Sequence, residues 1–282
     1  MTDAIAYINN ALNAYYPSSE ITGFTRLIME HVCRLQPHHL LLDKGKELSR
    51  TERAEIKGIV ERLKQFEPIQ YIIGHTRFYG LPFHVDPSVL IPRPETEELA
   101  DHVLRDFRDG RMRVLDIGTG SGCLAVTLAK YLPHAGVFAV DISEKALRTA
   151  RENARLNGVE VTFLQADILS PPHTLAHLPD SVDLFVSNPP YVKNSEKAQM
   201  GKNVLLYEPP EALFVPDDDP LLFYRAIARL GKEKIKEGGF LYAEINAQCG
   251  KEMVDMLAGE GYTGIRLIRD IAGKERIITA KK

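Results

Sequence analysis

Two hydrogen-bond acceptors stand side by side in the tetrapeptide Asn188-Pro189-Pro190-Tyr191. The Asn188 side-chain carbonyl and the Pro189 backbone carbonyl can each accept one N–H of the same amino group. An amide or aryl amine nitrogen is a poor nucleophile because its lone pair is conjugated, so holding both hydrogens aims the nitrogen at an electrophile. Pro190 stiffens the turn, and Tyr191 can stack on a planar group or favour a nearby cation. The tetrapeptide therefore predicts alkylation of a planar NH2 group without a dedicated general base.

A second chemical feature is the glycine-rich loop Asp116-Ile117-Gly118-Thr119-Gly120-Ser121-Gly122. Glycines let the backbone approach a ligand closely. A dinucleotide-binding loop has the spacing G-x-G-x-x-G, which seats pyrophosphate on a helix N-terminus, whereas this loop has G-x-G-x-G. The Asp116 carboxylate suits a ligand with an ammonium group. S-adenosylmethionine has a cationic amine and a sulfonium and carries no phosphate, so the loop predicts this cofactor.

Two further carboxylates follow the next two predicted strands. Asp141 is placed to accept hydrogen bonds from both ribose hydroxyls, as an acidic residue does in other nucleotide sites. Asp167 is placed to accept from the exocyclic amine of adenine, and Ile168 can cover one adenine face. Ligands of open α/β sheets bind at the carboxyl ends of the strands, so these residues predict one cofactor site together with the loop.

Apolar segments alternate with amphipathic ones from about residue 95 onward, which predicts alternating strands and helices. Ser143 can cap a helix that runs to Asn157 and ends at Gly158, and another helix is expected near residues 220–236. This alternation predicts a doubly wound, mostly parallel sheet, in which Asn188 directly follows the fourth strand. The predicted strands are residues 113–117, 136–140, 161–164, 184–186, 240–243, 265–268 and 276–279.

The first 65 residues have helical patterning, including a capping box formed by Ser49 and Glu52. Residues 69–91 are aromatic and β-branched residues broken by glycine and proline, which predicts a hairpin connector that includes the segment Tyr71-Ile72-Ile73. Two prolines hold residues 91–97 extended, and the acidic run of this segment suits the first turn of the next helix. These boundaries predict three regions: a helical domain at residues 1–66, a β-hairpin linker at 67–94 and the cofactor-binding domain at 95–282.

The composition is that of a soluble globular protein. Of the 282 residues, 44% are hydrophobic and 26% are charged, which excludes a mainly disordered or collagen-like chain. The net charge of −3 argues against a dedicated nucleic-acid binder. We expect neither a membrane helix nor a secretory signal. The three cysteines are far apart in the sequence, so we expect free thiols in a reducing compartment, the cytoplasm.

Other reactive side chains have weaker patterns. His173 and His177 have the spacing of helical metal ligands, but prolines surround them and no third ligand is evident. We therefore expect exposed histidines and no metal site, as we do for the adjacent pair His38-His39. Cys123 stands where a helix begins, and a helix N-terminus lowers the pKa of a thiol. Catalysis by a thiolate is not expected, because methyl transfer to nitrogen needs no covalent enzyme intermediate.

These motifs together resemble the HemK/PrmC family of protein-(glutamine-N5) methyltransferases. The resemblance covers nearly the whole chain. Asn-Pro-Pro-Tyr alone is shared with enzymes that methylate adenine in DNA, whereas the Pro-Arg-Pro-Glu-Thr stretch is more specific to this family. The supporting segments are Glu67-Pro68-Ile69-Gln70-Tyr71-Ile72-Ile73-Gly74, Phe78-Tyr79-Gly80, Ile91-Pro92-Arg93-Pro94-Glu95-Thr96-Glu97 and Tyr207-Glu208-Pro209-Pro210-Glu211-Ala212-Leu213.

The resemblance implies a seven-stranded, Rossmann-like class I methyltransferase domain with a small N-terminal helical bundle and a β-hairpin linker. It implies that S-adenosyl-L-methionine is converted to S-adenosyl-L-homocysteine. The substrate would be the glutamine of the Gly-Gly-Gln loop in class 1 peptide chain release factors. Asn188, Pro189 and Tyr191 would be catalytic, residues 188–191 would hold the glutamine, and Asn188 would also contact the cofactor. The helical domain would contact the release factor elsewhere, and a cytoplasmic monomer without nucleic-acid or membrane partners is expected.

Some points stay open at this stage. Some relatives have an aromatic residue where this chain has Ile168, so packing against adenine would be aliphatic here. The roles of Arg93, Glu95 and Thr96 are not assigned. The alternative function is methylation of an adenine or guanine amino group in DNA or RNA, although no basic face or target-recognition insertion is evident. The glycine spacing disfavours a dehydrogenase, and the intact tetrapeptide disfavours a non-catalytic binding protein.

Overall fold

The computed structural model describes residues 1–34, 47–108, 111–171 and 175–282. Three histidines considered above, His38, His39 and His173, lie outside these residues. Within the described residues, no group of three or more His, Cys, Asp or Glu side chains is arranged to hold a metal ion. Every helix in this part of the chain is too short or too polar to span a lipid bilayer.

The described residues form two compact units. The first unit comprises Met1–Gly74 and Gly201–Tyr207, and the second comprises His75–Met200 and Glu208–Lys282. The division into residues 1–66, 67–94 and 95–282 stays a prediction. The helices of the first unit are α1 (Thr2–Leu12), α2 (Ser18–Cys33), α3 (Arg50–Lys64), α4 (Ile69–Ile73) and α8 (Lys202–Tyr207).

The predicted capping box at the start of α3 is confirmed. The Glu52 N–H donates to Ser49 Oγ over 3.1 Å, and the Ser49 N–H donates to Glu52 Oε2 over 2.7 Å. These two bonds satisfy N–H groups that a helix start leaves without partners. The apolar stripe of α3 is buried in a core shared with α1 and α2, and its members are Ile56, Ile59, Val60 and Leu63.

The segment Tyr71-Ile72-Ile73 is helical, so the prediction that it belongs to the hairpin is wrong. It forms most of α4, which starts after Pro68 and ends at Gly74, where φ is 76°. A proline near the start and a left-handed glycine at the end are typical helix boundaries, and over five residues they outweigh β-branched composition. The hairpin itself begins one residue later, with β1 (His75–Phe78) and β2 (Leu81–His84).

The second unit is built on a seven-stranded sheet with the order β10-β11-β9-β6-β3-β4-β5. The pairs from β9 to β5 are parallel, and β11 pairs antiparallel with both β9 and β10. The predicted mostly parallel, doubly wound sheet is therefore confirmed. The strands are β3 (Arg113–Ile117), β4 (Gly136–Asp141), β5 (Thr162–Gln165), β6 (Val182–Ser187), β9 (Ile235–Glu244), β10 (Thr263–Arg269) and β11 (Glu275–Lys281).

Helices cover both faces of this sheet, and each face has its own apolar core. The predicted cap of helix α7 (Glu144–Asn157) is confirmed, because Ser143 Oγ accepts from the Ala146 N–H over 3.2 Å and the helix ends at Gly158. Apolar burial of this kind stabilises by about 25 cal/mol per Å² and holds the sheet edge that carries the site. The helices are α5 (Pro94–Asp106), α6 (Cys123–Tyr131), α7 (Glu144–Asn157), α9 (Leu222–Lys234) and α10 (Gly250–Gly259).

Short elements complete the unit and lie next to the site. Residues Asn194–Gln199 and Pro210–Ala212 form 3₁₀ turns. Two short parallel strands, β7 (Val192–Lys193) and β8 (Phe214–Val215), pair with each other. This pairing fixes the chain on both sides of the long excursion between them.

The β1–β2 hairpin is held against α7 by asparagine side chains. Asn153 is fully buried and exchanges two hydrogen bonds with the His84 backbone, over 2.6 Å and 3.0 Å. The same side chain donates to the Ser121 carbonyl over 2.8 Å. Asn157 donates to the Pro82 carbonyl over 2.9 Å. The hairpin and the glycine-rich loop therefore share one buried polar anchor.

Candidate active site

The glycine-rich loop between β3 and α6 lies at the carboxyl edge of the sheet and is fixed by its own backbone. The N–H groups of residues 118 and 119 donate to the Val140 carbonyl, and that of residue 122 donates to the Thr119 carbonyl. The N–H of residue 120 donates to Asp141 Oδ2 over 2.9 Å. These four donors are used within the protein and are not available to a pyrophosphate. The φ angles lie in the left-handed region, at 72° for Gly118, 54° for Gly120 and 80° for Gly122.

The two carboxylate oxygens of Asp116 differ in their hydrogen bonding. Its Oδ2 accepts from Thr119 Oγ1 over 2.6 Å and from the Ala125 N–H over 3.2 Å. Its Oδ1 is buried and has no hydrogen-bond partner among the described residues. Burial raises the pKa of this carboxyl to about 7. A buried oxygen without a partner beside a cavity fits a ligand that brings a cationic N–H group.

Asp141 and Asp167 are held by backbone N–H groups, which leaves further acceptor capacity on each. Asp141 Oδ1 accepts from the Ser143 N–H over 2.9 Å, and Asp167 Oδ1 accepts from the Leu169 N–H over 2.9 Å. Burial raises the pKa of Asp141, while the backbone hydrogen bonds oppose that shift. An ionised carboxylate has about four lone-pair sites, so both side chains can accept from a ligand as well.

A cavity of about 250 Å³ joins these carboxylates to the tetrapeptide. Of the predicted site residues, Gly122 and Tyr191 do not line it. Gly122 instead caps α6, and Tyr191 contributes to a hydrogen-bond network described below. The predicted residues that do line the cavity are Asp116, Gly118, Thr119, Gly120, Ser121, Asp141, Asp167, Ile168, Asn188, Pro189 and Pro190. The apolar side chains that line the cavity include the aliphatic residues Ile142, Ile168 and Leu169 and the aromatic residue Phe223.

The tetrapeptide begins where β6 ends, and the sheet register sets its neighbour. Ser187 pairs with Ala243 in the parallel ladder of β6 and β9. Asn188 and Glu244 are therefore the next residues along adjacent strands, at the same edge of the sheet. The Ser187 hydroxyl donates to the Ile117 carbonyl over 2.7 Å, which also fixes this edge to the start of the glycine-rich loop.

A buried carboxylate lies at the centre of a network around Asn188. Asn188 Nδ2 donates to Thr96 Oγ1 over 3.0 Å, and Thr96 Oγ1 donates to Glu244 Oε2 over 2.7 Å. The Tyr191 hydroxyl donates to the other oxygen, Glu244 Oε1, over 2.8 Å. Burial raises the pKa of this tyrosine, so its hydroxyl keeps its proton. The first and last residues of the tetrapeptide are thus tied to one carboxylate.

A second buried carboxylate joins two loops of the cavity wall. Glu208 accepts from Arg93 Nη2 over 2.6 Å and from the Ile91 N–H over 3.2 Å, and its side chain is 0% exposed. Arg93 lines the cavity, and so does Pro209, which follows Glu208 in the chain. The Pro-Arg-Pro-Glu-Thr stretch therefore meets the segment around Pro209 through a charge-assisted hydrogen bond.

Cys123 lines the cavity, but the expectation of a lowered pKa is wrong. Burial raises the pKa of this thiol to about 12, and the nearby carboxylate of Asp116 adds to the shift. Desolvation of a thiolate therefore outweighs the effect of the helix N-terminus. The group is a neutral thiol at physiological pH.

Comparison with known proteins identifies the family. The chain is 46% identical to a release factor glutamine methyltransferase of Bacteroides thetaiotaomicron, over 282 residues that cover 100% of both chains. The chain belongs to the release factor glutamine methyltransferase family. A relative of the same name from Flavobacterium psychrophilum is 44% identical and covers 95% of this chain and 94% of its own. Residues 3–74 match the PrmC N-terminal domain, and residues 108–258 match a methyltransferase domain.

A solved structure agrees with this member of the family in fold. A methyltransferase from Pyrococcus furiosus has a TM-score of 0.53 at 17% identity, over 83% of this chain and 99% of that one. At that identity the likeness concerns the fold alone. The predicted seven-stranded, Rossmann-like class I methyltransferase domain is confirmed by this likeness, by the sheet order and by the matched domain.

Sequence reasoning missed several residues that shape the site of this family member. Glu244 and Asn246 were not singled out, although Asn246 Nδ2 donates to the Tyr191 carbonyl over 3.2 Å. Glu244 could have been identified from its position directly after a predicted strand, which is also the position of Asp141. Thr96 and Arg93 were named without a role. Their partners are more than 100 positions away in the chain, which no local pattern reveals.

Proposed function

We propose that this protein transfers a methyl group from S-adenosyl-L-methionine to the side-chain nitrogen (N5) of the glutamine in the Gly-Gly-Gln motif of class 1 peptide chain release factors. One observation carries the proposal beyond the family relationship. Asn188 lies at the cavity wall with its Nδ2 bound to Thr96, which leaves Oδ1 as its acceptor for a substrate NH2 group. The names of the relatives support the release factor as the protein substrate.

Three of the carboxylates that line the cavity suit the proposed cofactor. Asp116 Oδ1 would accept from the cationic amine, Asp141 from the ribose hydroxyls and Asp167 from the adenine amine, with Ile168 against the ring. Bound there, S-adenosylmethionine supplies a methyl group on a sulfonium, which is an electrophile that needs no further activation. None of these three carboxylates suits a phosphate group, and four of the backbone donors of the loop are already used within the protein.

The tetrapeptide would act on the substrate by orientation. The Asn188 Oδ1 and the Pro189 carbonyl accept the two hydrogens of the glutamine amide, which fixes the direction of its nitrogen lone pair. Proper orientation of this kind can account for a large part of a rate enhancement, and two consecutive prolines keep the acceptors in place before the substrate arrives. Once the nitrogen carries the methyl group, one of its hydrogens leaves as a proton, so a strong base is not required.

The decisive experiment is methylation of an unmodified release factor with labelled S-adenosylmethionine, followed by peptide mass mapping. We expect one methyl group on the Gly-Gly-Gln glutamine with the wild-type protein. We expect at least a 100-fold slower reaction with Asn188→Ala, whose affinity for S-adenosylhomocysteine stays within about threefold because only orientation is lost. DNA and RNA are tested in parallel. Label in nucleic acid and none in the release factor would overturn the proposal.

A further inference from the structure

Glu244 is an unusual residue to bury beside a reaction site. The residue is 1% exposed, and no Lys, Arg or His nitrogen among the described residues lies within ion-pairing distance of its carboxylate. Its oxygens instead accept from two neutral hydroxyls, those of Thr96 and Tyr191. Burying a charge without a cationic partner is costly, and a neutral side chain would hold the fold at lower cost. The cost indicates that the negative charge itself is useful.

The charge determines the direction of every hydrogen bond in this network. An ionised carboxylate can only accept, so the Thr96 hydroxyl must give its single hydrogen to Glu244. The Thr96 oxygen can then only accept from Asn188, and the Asn188 group that donates is its NH2. No donor among the described residues is hydrogen-bonded to Asn188 Oδ1. Burial raises the pKa of Glu244, and the hydrogen bonds from Thr96 and Tyr191, together with the nearby charge of Arg276, oppose that shift.

We propose that Thr96 and Glu244 are positioning residues, which keep the Asn188 amide in the one orientation that presents Oδ1, and not the NH2 group, to the substrate nitrogen. This inference rests on the proposed methylation of an amide NH2. A flipped Asn188 would point its own NH2 at the NH2 of the substrate, where two donors face each other. Neither positioning residue needs to touch the reacting atoms, because both act through Asn188.

Kinetics of matched variants test the inference. Thr96→Val keeps the shape and removes the hydroxyl, and Glu244→Gln keeps the shape and adds a donor. We expect each to lower kcat 10- to 100-fold, while KM for the release factor and the dissociation constant of S-adenosylhomocysteine change less than threefold. Thr96→Ser, which restores the hydroxyl, should recover kcat to within about fivefold of wild type.

Two controls separate positioning from general damage. Thr127 is fully buried and its Oγ1 has no partner among the described residues, so Thr127→Val should leave kcat within twofold. The double variant Thr96→Val with Glu244→Gln should be no slower than the worse single variant, because both act through the same amide. Losses that multiply in the double variant, or a Thr96→Val protein with wild-type kcat, would overturn the inference.

A second readout does not depend on the reaction. In ¹⁵N-labelled wild-type protein, the Asn188 side-chain NH2, identified by its absence in Asn188→Asp, should exchange with water at least tenfold more slowly than an exposed asparagine. This protection should be lost in Thr96→Val and retained in Thr96→Ser. An unprotected Asn188 NH2 in the wild type overturns the inference. If release factor is not methylated while the protection is present, the proposed function fails and the orientation of Asn188 stands.

Discussion

A Cβ atom on Gly122 would lie 3.0 Å from the Cβ of Ala150, at the point where α6 passes α7. Gly122 also has a φ of 80°, which L side chains rarely adopt. Gly158 has a φ of 63° but open space around its missing Cβ. Alanine variants at the two positions therefore distinguish the cost of backbone strain alone from the cost of strain combined with steric crowding.

We expect Gly158→Ala to lower the free energy of unfolding by about 1–2 kcal/mol, the cost of a left-handed alanine. Gly122→Ala should cost roughly 3 kcal/mol, because overpacking adds about 1–3 kcal/mol to the same strain. Urea denaturation followed by circular dichroism measures both values. Equal losses in the two variants would show that the approach of α6 to α7 is not tight.

The protonation of Asp116 predicts how ligand binding depends on pH. Burial raises its pKa to about 7 in the unliganded protein, and a cationic ligand binds the ionised form. The affinity for S-adenosylhomocysteine, which carries the same amine, should therefore rise as the pH increases from 6 to 8. Calorimetric titration of wild type and Asp116→Asn measures this. The variant should bind more weakly at pH 8, and any pH dependence that it retains belongs to the ligand.

The same shift has a consequence for stability. Between about pH 4 and pH 7 the folded chain keeps a proton on Asp116 that the unfolded chain releases, so this group makes stability fall as the pH rises. Asp116→Asn should therefore gain stability relative to wild type at pH 8 compared with pH 5. A constant difference between the two proteins across this range would contradict the raised pKa.

The pair Arg93–Glu208 should matter for both stability and binding. Glu208→Gln removes the charge and places an NH2 group against one of two donors, so we expect a loss of about 2–3 kcal/mol in the free energy of unfolding. Weaker binding of S-adenosylhomocysteine should accompany it, because the joined loops line the cavity. The exposed pair Lys251–Asp255 is the matched control, and Asp255→Asn should change neither property.

The raised pKa of Cys123 predicts resistance to alkylation. With the pKa near 12, almost none of the thiol is ionised at pH 8, and the thiolate is the form that reacts. Iodoacetamide should leave the Cys123 peptide unmodified in the folded protein and modify it fully in denaturant, as mass spectrometry would detect. Rapid modification of the folded protein at pH 7 would contradict the raised pKa of the Cys123 thiol.

The strands of the sheet and their succession along the chain could largely be predicted from sequence. Buried parallel strands are continuous apolar runs, and amphipathic helices separate them. Helix α10 escaped prediction because its signal is weak. Only Gly250, Met253 and Leu257 are buried, and glycines stand at both ends. The residues of α4 were misassigned because β-branched composition was given more weight than the flanking Pro68 and Gly74.

For the candidate site, the ligand-facing residues were accessible to sequence reasoning and their supports were not. Asp116 is the penultimate residue of its strand, Asp141 ends a strand and Asn188 directly follows one, and strand ends are recognisable locally. The bond from Thr96 to Glu244 spans 148 positions and depends on how α5 meets the end of β9. The expectation of a lowered pKa for the Cys123 thiol was wrong for a related reason, because desolvation depends on tertiary packing.

The pairing of Ser187 with Ala243 makes strand length a functional quantity. Successive residues of a strand advance by about 3.3 Å and point to opposite faces. One residue inserted into β9 before Glu244 would thus move a different side chain beside Asn188, while leaving the apolar composition nearly unchanged. Substitutions within β9 therefore test its packing. Insertions and deletions in β9 instead change the spacing that places Glu244 beside Asn188.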